Sequence, residues 1–192
     1  FVGRIEPLKG LDTLIRALAE IRQTGLLEKE CYSLAVIGGE PGAEPEAMNS
    51  EMARLKALCL DLGIGDLIVF LGKKAQETLP YYYSAAEMLV MPSFYESFGM
   101  VALEAMACGT AVVASQVGGL GFLVQDGITG RVVPGGDVRA LARTISELII
   151  EPELRTQMGD AAAAYARKFS WKTIADQMIQ VYDLLTFENT AK

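Results

Sequence analysis

Five short apolar runs, separated by segments with helical periodicity, constrain the fold of this chain more than any other feature of its sequence. Each run is followed directly by Gly, Pro or Ser. The runs are residues 31–37, 67–71, 87–91, 110–114 and 130–133. Short and nearly continuous apolar runs are typical of strands that are buried on both faces. We therefore predict a strand at each of these positions.

The intervening segments carry the 3.6-residue period of amphipathic helices. Gly63 fits a helix C-terminus, Asp137 an N-cap and Pro152 a first helical position. Alternating strands and helices predict an α/β fold, in which a parallel sheet has helices on both faces. Ligands bind such sheets at the carboxyl ends of the strands, near the point where strand order reverses. The predicted helices cover residues 11–21, 51–62, 99–108, 138–150, 152–169 and 171–185.

Composition excludes several classes of protein. The 192 residues include no histidine, so this chain has no histidine catalysis, no histidine metal ligand and no histidine pH switch. A net charge of −7 argues against nucleic acid as a partner. Cys31, Cys59 and Cys108 lie in apolar stretches, and we expect buried free thiols in a reducing cytosol. The sequence shows no signal peptide and no apolar run of membrane-spanning length, so we expect a cytoplasmic protein without a membrane span.

One long loop and the first residue of the chain lead to two further expectations. Residues 40–50 contain two prolines among small polar residues, which is typical of an exposed loop. The chain opens directly on an apolar segment at Phe1, and we expect it to be part of a longer polypeptide.

The first segment with candidate chemistry is residues 1–10, FVGRIEPLKG. Gly3 would let the backbone approach a ligand closely, at the end of a strand. Arg4 offers a planar fork of donors, and Lys9 offers a point charge just before a helix. Two cations placed there suit a diphosphate. The alternative is an exposed turn with two solvated cations.

The second segment is residues 94–115, FYESFGMVALEAMACGTAVVAS. Ser97 is an N-cap candidate for a mostly buried helix, whose first turn would offer free N–H groups to an anion. Glu96 would precede this helix, and Glu104 would lie on it among apolar residues. A carboxylate in such surroundings needs a partner. For Glu104 the partner is either a pair of ligand hydroxyls or a neighbouring Lys or Arg.

These residues resemble a known signature. Glu96 and Glu104 match the E-x7-E motif of the retaining GT-B glycosyltransferases of family 4, the group 1 glycosyltransferases, and residues 3–10 match their GR-x4-KG motif. The chain is similar in particular to sucrose-phosphate-synthase-like and inositol-glycosyltransferase-like members. The resemblance extends over residues 1–166. It implies the Rossmann-like C-terminal domain of a GT-B enzyme, with residues 1–192 as the nucleotide-sugar donor-binding domain and the N-terminal acceptor domain absent from this chain.

The resemblance also implies roles for individual residues. Arg4 and Lys9 would hold the donor diphosphate and stabilise the leaving group, with Glu96 close to the transferred sugar. Glu104 would hold the ribose hydroxyls. The remaining donor-binding residues implied by the resemblance are Gly3, Gly72, Lys73, Phe98, Gly99, Met100 and Val101, of which Gly72 and Lys73, with Lys74 beside them, fall where the family contacts the base.

The expected activity is therefore the retaining transfer of a hexose from a UDP-, ADP- or GDP-sugar to an acceptor that is bound mainly by the absent domain. No Asp-x-Asp pair occurs in the sequence, and we expect neither a metal nor another cofactor. We expect the isolated chain to be inactive. The alternative is a non-catalytic nucleotide-sugar-binding module. A dinucleotide oxidoreductase or P-loop NTPase is disfavoured, because neither G-x-G-x-x-G after the first strand nor G-K-[ST] is present.

Two further segments leave alternatives open. The glycine-rich residues 118–121 and 126–130 either border the donor pocket or form turns between elements. The run Tyr81, Tyr82 and Tyr83 either offers an aromatic platform to a base or packs a helix with one ring exposed.

Overall fold

The computed structural model describes residues 1–29, 32–39 and 50–190. The predictions made for Cys31 and for the loop up to residue 49 lie outside these residues. The described strands are β1 (Leu34–Ile37), β2 (Ile68–Gly72), β3 (Met88–Met91), β4 (Ala111–Ser115) and β5 (Gly130–Val133). The described helices are α1 (Leu11–Arg22), α2 (Leu26–Lys29), α3 (Ser50–Asp61), α4 (Leu79–Ala85), α5 (Met100–Ala107), α6 (Leu120–Leu123), α7 (Val138–Ile150), α8 (Pro152–Ala166) and α9 (Trp171–Thr190).

The strands pair in parallel, in two hydrogen-bonded groups. One group is β1 with β2, and the other has the order β3-β4-β5. The first residues of the chain extend the first group, since Val2 forms a parallel bridge with Ile37 on β1. Phe1 packs in the same apolar core as Val36 of β1 and Val90 of β3. The opening segment therefore lies against both groups of strands.

Both faces of the second group are buried, and this explains the continuous apolar runs in the sequence. On β3, Val90 packs into a core that also contains residues of α1 and α7. Its neighbours Leu89 and Met91 pack into a second core, formed with residues of α5, α6 and α8. Successive side chains of a strand point to opposite faces, so a strand between two helical layers needs apolar residues throughout. The predicted α/β fold is confirmed.

Local signals for helix ends are also confirmed. The Asp137 side chain accepts a hydrogen bond of 2.9 Å from the Ala140 N–H and caps α7. Pro152 opens α8, and Gly63 follows α3 in the left-handed conformation with φ 65°. Cys59 is a buried free thiol as predicted, and Cys108 is a free thiol that is only partly buried.

Candidate functional site

The two segments singled out in the sequence meet at the carboxyl ends of the strands. The Phe94 N–H, in the loop after β3, donates to the Leu8 carbonyl across 2.9 Å. Gly10 lies directly against the Pro92 carbonyl oxygen, and a Cβ at Gly10 would overlap that oxygen. Gly10 also has φ 65°, a conformation that favours glycine. Glycine at this position therefore lets the loop that carries Lys9 pack against the loop that carries Glu96.

An ion pair links these loops at the centre of the candidate site. Lys9 Nζ donates to Glu96 Oε2 across 2.5 Å. The two side chains are only 17% and 16% exposed. A pair this well shielded from water is held more firmly than a surface salt bridge. The sequence predicted that both residues belong to one site, but not that they pair directly.

The second predicted cation has a different environment. Arg4 is an exposed side chain, and its guanidinium pairs with Glu6 across 2.9 Å. A pair at this exposure restrains the guanidinium only weakly. Arg4 therefore fits the description of a solvated cation in a turn, whereas Lys9 does not. Gly3, beside Arg4, donates its N–H to the Ile37 carbonyl and brings the turn against the end of β1.

The start of α5 forms the next side of the site. The helix begins at Met100 and its N-cap is Gly99, with φ 97°. The prediction of Ser97 as the N-cap is wrong, because the left-handed turn at Gly99 starts the helix two residues later. Phe98 and Met100 flank this turn as exposed apolar side chains, and Val101 is partly buried behind them. The loop that carries Glu96 leads into this N-terminus, and the first N–H groups of a helix have no partner within it.

The glycines after β4 hold the Glu96 loop from the other side. The Gly119 N–H donates to the Glu96 carbonyl across 3.0 Å. A Cβ at Gly118 would overlap the same carbonyl oxygen, and Gly118 has φ 45°. These glycines are turn residues that also support the candidate site. The positions of Gly118 and Gly119 in the sequence do not indicate which loop they contact.

The Glu104 carboxylate on α5 has a partner that the sequence does not predict. The Tyr83 hydroxyl on α4 donates to Glu104 Oε2 across 2.9 Å. The alternative prediction, that a neighbouring Lys or Arg pairs with Glu104, is wrong, because among the described residues its partner is the phenol of Tyr83. Of the tyrosine run, Tyr83 is buried and Tyr81 is exposed, which confirms helix packing with an exposed ring. The one indication of this contact in the sequence is that Tyr83 lies in a helical segment of mostly apolar residues.

The last predicted residues lie at the end of β2. Gly72 is buried, and its carbonyl accepts the Gly38 N–H across 3.0 Å. Lys73 is exposed, and its N–H donates to the Gly39 carbonyl. The Lys74 ammonium lies 5.8 Å from the centre of the Tyr82 ring. These residues share the carboxyl edge with the site but belong to the β1–β2 group of strands.

Neither a metal-binding cluster nor a membrane-spanning helix occurs among the described residues. Within residues 1–29, 32–39 and 50–190, no group of three or more His, Cys, Asp or Glu side chains is arranged to hold a metal ion. Among the helices in the same part of the chain, none is long and apolar enough to cross a membrane.

The chain is similar to a known protein family and to several known proteins. The family described as "Glycosyl transferases group 1" matches residues 1–165. The D-inositol 3-phosphate glycosyltransferase of Acidothermus cellulolyticus is 40% identical over 192 residues, which are 100% of this chain and 42% of that protein. The chain therefore spans less than half the length of this curated relative.

Two solved structures share the fold. A sucrose-phosphate synthase from Thermosynechococcus elongatus is 39% identical with a TM-score of 0.82, and the match covers 97% of this chain and 45% of that one. The HepE protein of Anabaena, solved in complex with UDP, is 28% identical with a TM-score of 0.81, and the match covers 95% of this chain and 48% of that one.

Proposed function

This chain belongs to the group 1 glycosyl transferases, and on that premise we propose that it is the donor-binding half of an enzyme that moves a hexose from a nucleotide-diphosphate sugar to an acceptor. The donor is a UDP-, ADP- or GDP-sugar. Since the chain spans 42% of the length of a curated relative, the acceptor is bound mainly by another part of the longer protein. Transfer proceeds with retention of configuration, as the family signature implies.

The observation that carries this proposal is the Lys9–Glu96 pair beside the N-terminus of α5. Transfer of the sugar leaves negative charge on the departing diphosphate, and catalysis requires donors aimed at that charge. Lys9, together with the exposed and adaptable Arg4, supplies two positive charges. The N–H groups at the start of α5 add the positive end of a helix dipole. These groups stabilise the leaving diphosphate from this chain's own residues, and we propose that no metal is required.

The ion pair also suggests how the donor enters. Glu96 pairs with Lys9 and neutralises its charge. On donor binding, Lys9 turns toward the diphosphate, and the Glu96 carboxylate becomes available to the hydroxyls of the transferred sugar. Phe98, Gly99, Met100 and Val101 surround the sugar and the phosphate at the start of α5.

The nucleoside occupies the rest of the site. Glu104 accepts hydrogen bonds from the two ribose hydroxyls, because a carboxylate has lone pairs for both of them and for Tyr83. Gly72 and Lys73 contact the base largely through their backbone, and Gly3 lets the backbone approach the diphosphate.

Calorimetric titration of the full-length protein with UDP, ADP and GDP tests the proposal. We expect one of these nucleotides to bind with a Kd below about 1 mM, and the Lys9→Ala variant to bind it more weakly. The matched control is Lys172→Ala, which removes an exposed lysine on α9. Absence of binding by all three nucleotides at millimolar concentration would contradict the proposal. Transfer assays with the corresponding sugar nucleotide then separate an enzyme from a binding module.

A further inference from the structure

Tyr83 is a buried polar side chain that has no role of its own in the proposed transfer reaction. It is 2% exposed and lies on α4, whereas its hydrogen-bond acceptor Glu104 lies on α5. The hydrogen bond of 2.9 Å joins two helices whose contacting residues are 21 positions apart. A buried hydroxyl requires a partner, but an apolar residue of the same shape would require none.

The ring of Tyr83 is itself held in place. Its backbone carbonyl accepts the Thr110 hydroxyl across 2.7 Å, and Thr110 is buried. The ring packs in the apolar core formed by residues such as Ala105 and Met106 on α5. Close packing permits few rotamers in such a core. The hydroxyl therefore reaches Glu104 from a fixed position.

The hydroxyl also keeps its proton. Burial, together with the hydrogen bond to the Glu104 carboxylate, raises the pKa of Tyr83 well above its ordinary range. The neutral phenol therefore persists at any pH at which the protein would work, and it donates to Glu104 throughout.

We propose that Tyr83 is a positioning residue for the nucleotide ribose, because it holds the Glu104 carboxylate in the orientation that accepts the two ribose hydroxyls. This inference rests on the proposed function, in which Glu104 binds the ribose. The Tyr83 hydroxyl takes one acceptor position of Oε2 and leaves the others to the ligand. It also fixes a long side chain before the ligand arrives, so that less conformational entropy is lost on binding.

Loss of the Tyr83 hydroxyl should weaken donor binding rather than slow the chemical step. The ribose lies away from the bond that breaks, so its contacts are the same in the bound donor and in the transition state. Loss of Tyr83 as a positioning group therefore raises the donor KM with little change in kcat. A residue needed only for folding would instead lower the active fraction, and with it kcat, at constant KM.

The experiment measures the Kd of UDP and of 2′,3′-dideoxy-UDP for the full-length protein and its Tyr83→Phe variant. The fold-change expected from releasing one side chain is about 2- to 10-fold weaker binding of UDP. Binding of dideoxy-UDP should not change, since it has no ribose hydroxyls for Glu104 to accept. If another nucleotide binds in place of UDP, its own dideoxy analogue is used. Calorimetric stoichiometry counts the folded molecules, so partial unfolding lowers the number of sites without altering Kd.

Two further variants complete the test. Tyr81→Phe is the matched control, because it removes the same atom from an exposed ring on the same helix, and it should leave both affinities unchanged. In a Glu104→Ala background, Tyr83→Phe should cause no additional loss. An equal loss for UDP and dideoxy-UDP, or an unchanged UDP affinity in Tyr83→Phe while Glu104→Ala weakens UDP, would overturn the inference alone. An unchanged UDP affinity in Glu104→Ala would overturn the ribose role of Glu104 and this inference with it.

Discussion

Lys9 Nζ lies 2.5 Å from Glu96 Oε2 and joins two loops whose residues are 87 positions apart. The pair exists because Gly10 and Pro92 pack without an intervening side chain. A cation and a carboxylate are thereby held together at the carboxyl edge of the sheet, beside the start of α5. The same contact neutralises both groups, and we propose that a ligand with its own charge and hydroxyls separates them.

Removal of the lysine should impair transfer more than it impairs folding. In Lys9→Ala the departing diphosphate loses one stabilising charge, so we expect kcat to fall about 10²- to 10³-fold. Steady-state kinetics of the full-length protein, with Lys172→Ala as the control, measures this loss. A kcat within twofold of the wild type would show that Lys9 does not act on the leaving group.

Arg4 and Glu104 should differ in the kinetic parameter that they control. Charge on the diphosphate grows in the transition state, so Arg4→Ala should lower kcat. Glu104→Gln removes charge-assisted hydrogen bonds to the ribose, of order 1.5–3 kcal/mol, and should mainly raise the donor KM. Since Arg4 is exposed, its removal should leave the thermal midpoint Tm nearly unchanged. Equal changes of kcat and KM in the two variants would count against this division of roles.

Gly10 offers a test of how the fold builds the site. Gly10 and Gly63 share φ 65°, but a Cβ at Gly63 would meet nothing within 4 Å. The free energy of unfolding of Gly63→Ala should therefore fall by about 1 kcal/mol, which is the strain of a non-glycine residue in the left-handed conformation. Gly10→Ala adds the overlap with the Pro92 carbonyl and should separate the Lys9 and Glu96 loops. We expect Gly10→Ala to lose more unfolding free energy than Gly63→Ala and to lose nucleotide binding as well, and comparable behaviour of the two variants would refute this.

Acid stability should depend on an ion pair remote from the site. Arg54 donates two hydrogen bonds to Glu51, of 2.7 and 2.8 Å, and lowers the pKa of that carboxyl. Because the pKa of Glu51 is lower in the folded state, the pair stabilises the fold at pH values above the unfolded pKa of about 4.3. This stabilisation is lost as the pH falls through the folded pKa. Glu51→Gln should therefore reduce the free energy of unfolding by about 0.3–1 kcal/mol at pH 7 and by less at pH 3. Urea unfolding at both pH values measures this, and an equal difference at each would contradict it.

The sequence predicts β3, β4 and β5 well because both faces of these strands are buried. Continuous apolar runs such as 110–114 admit few other interpretations, and the observed β4 differs from that run by one residue at each end. The short helices α2 and α6, each of 4 residues, were missed because one turn of helix shows no periodicity. Side-chain chemistry favours Ser97 as a cap, whereas the backbone conformation at Gly99 decides where α5 begins.

The sequence indicates candidate residues for the site but does not indicate their contacts. Spacing and residue type indicate Lys9 and Glu96, which precede helices, and Glu104, which lies on a helix among apolar residues. Lys9 pairs with a residue 87 positions away, Glu96. Tyr83 pairs with a residue 21 positions away, Glu104. No periodicity within a single element reports such contacts.

A crystal structure of the full-length protein with UDP, or with whichever nucleoside diphosphate the titration selects, tests the central claim most directly. We predict that the diphosphate lies within hydrogen-bonding distance of Lys9 Nζ and of the Arg4 guanidinium, with the ribose hydroxyls on Glu104. Lys9 should no longer pair with Glu96 alone. A nucleotide bound elsewhere, or bound while Lys9 remains paired only with Glu96, would contradict the account.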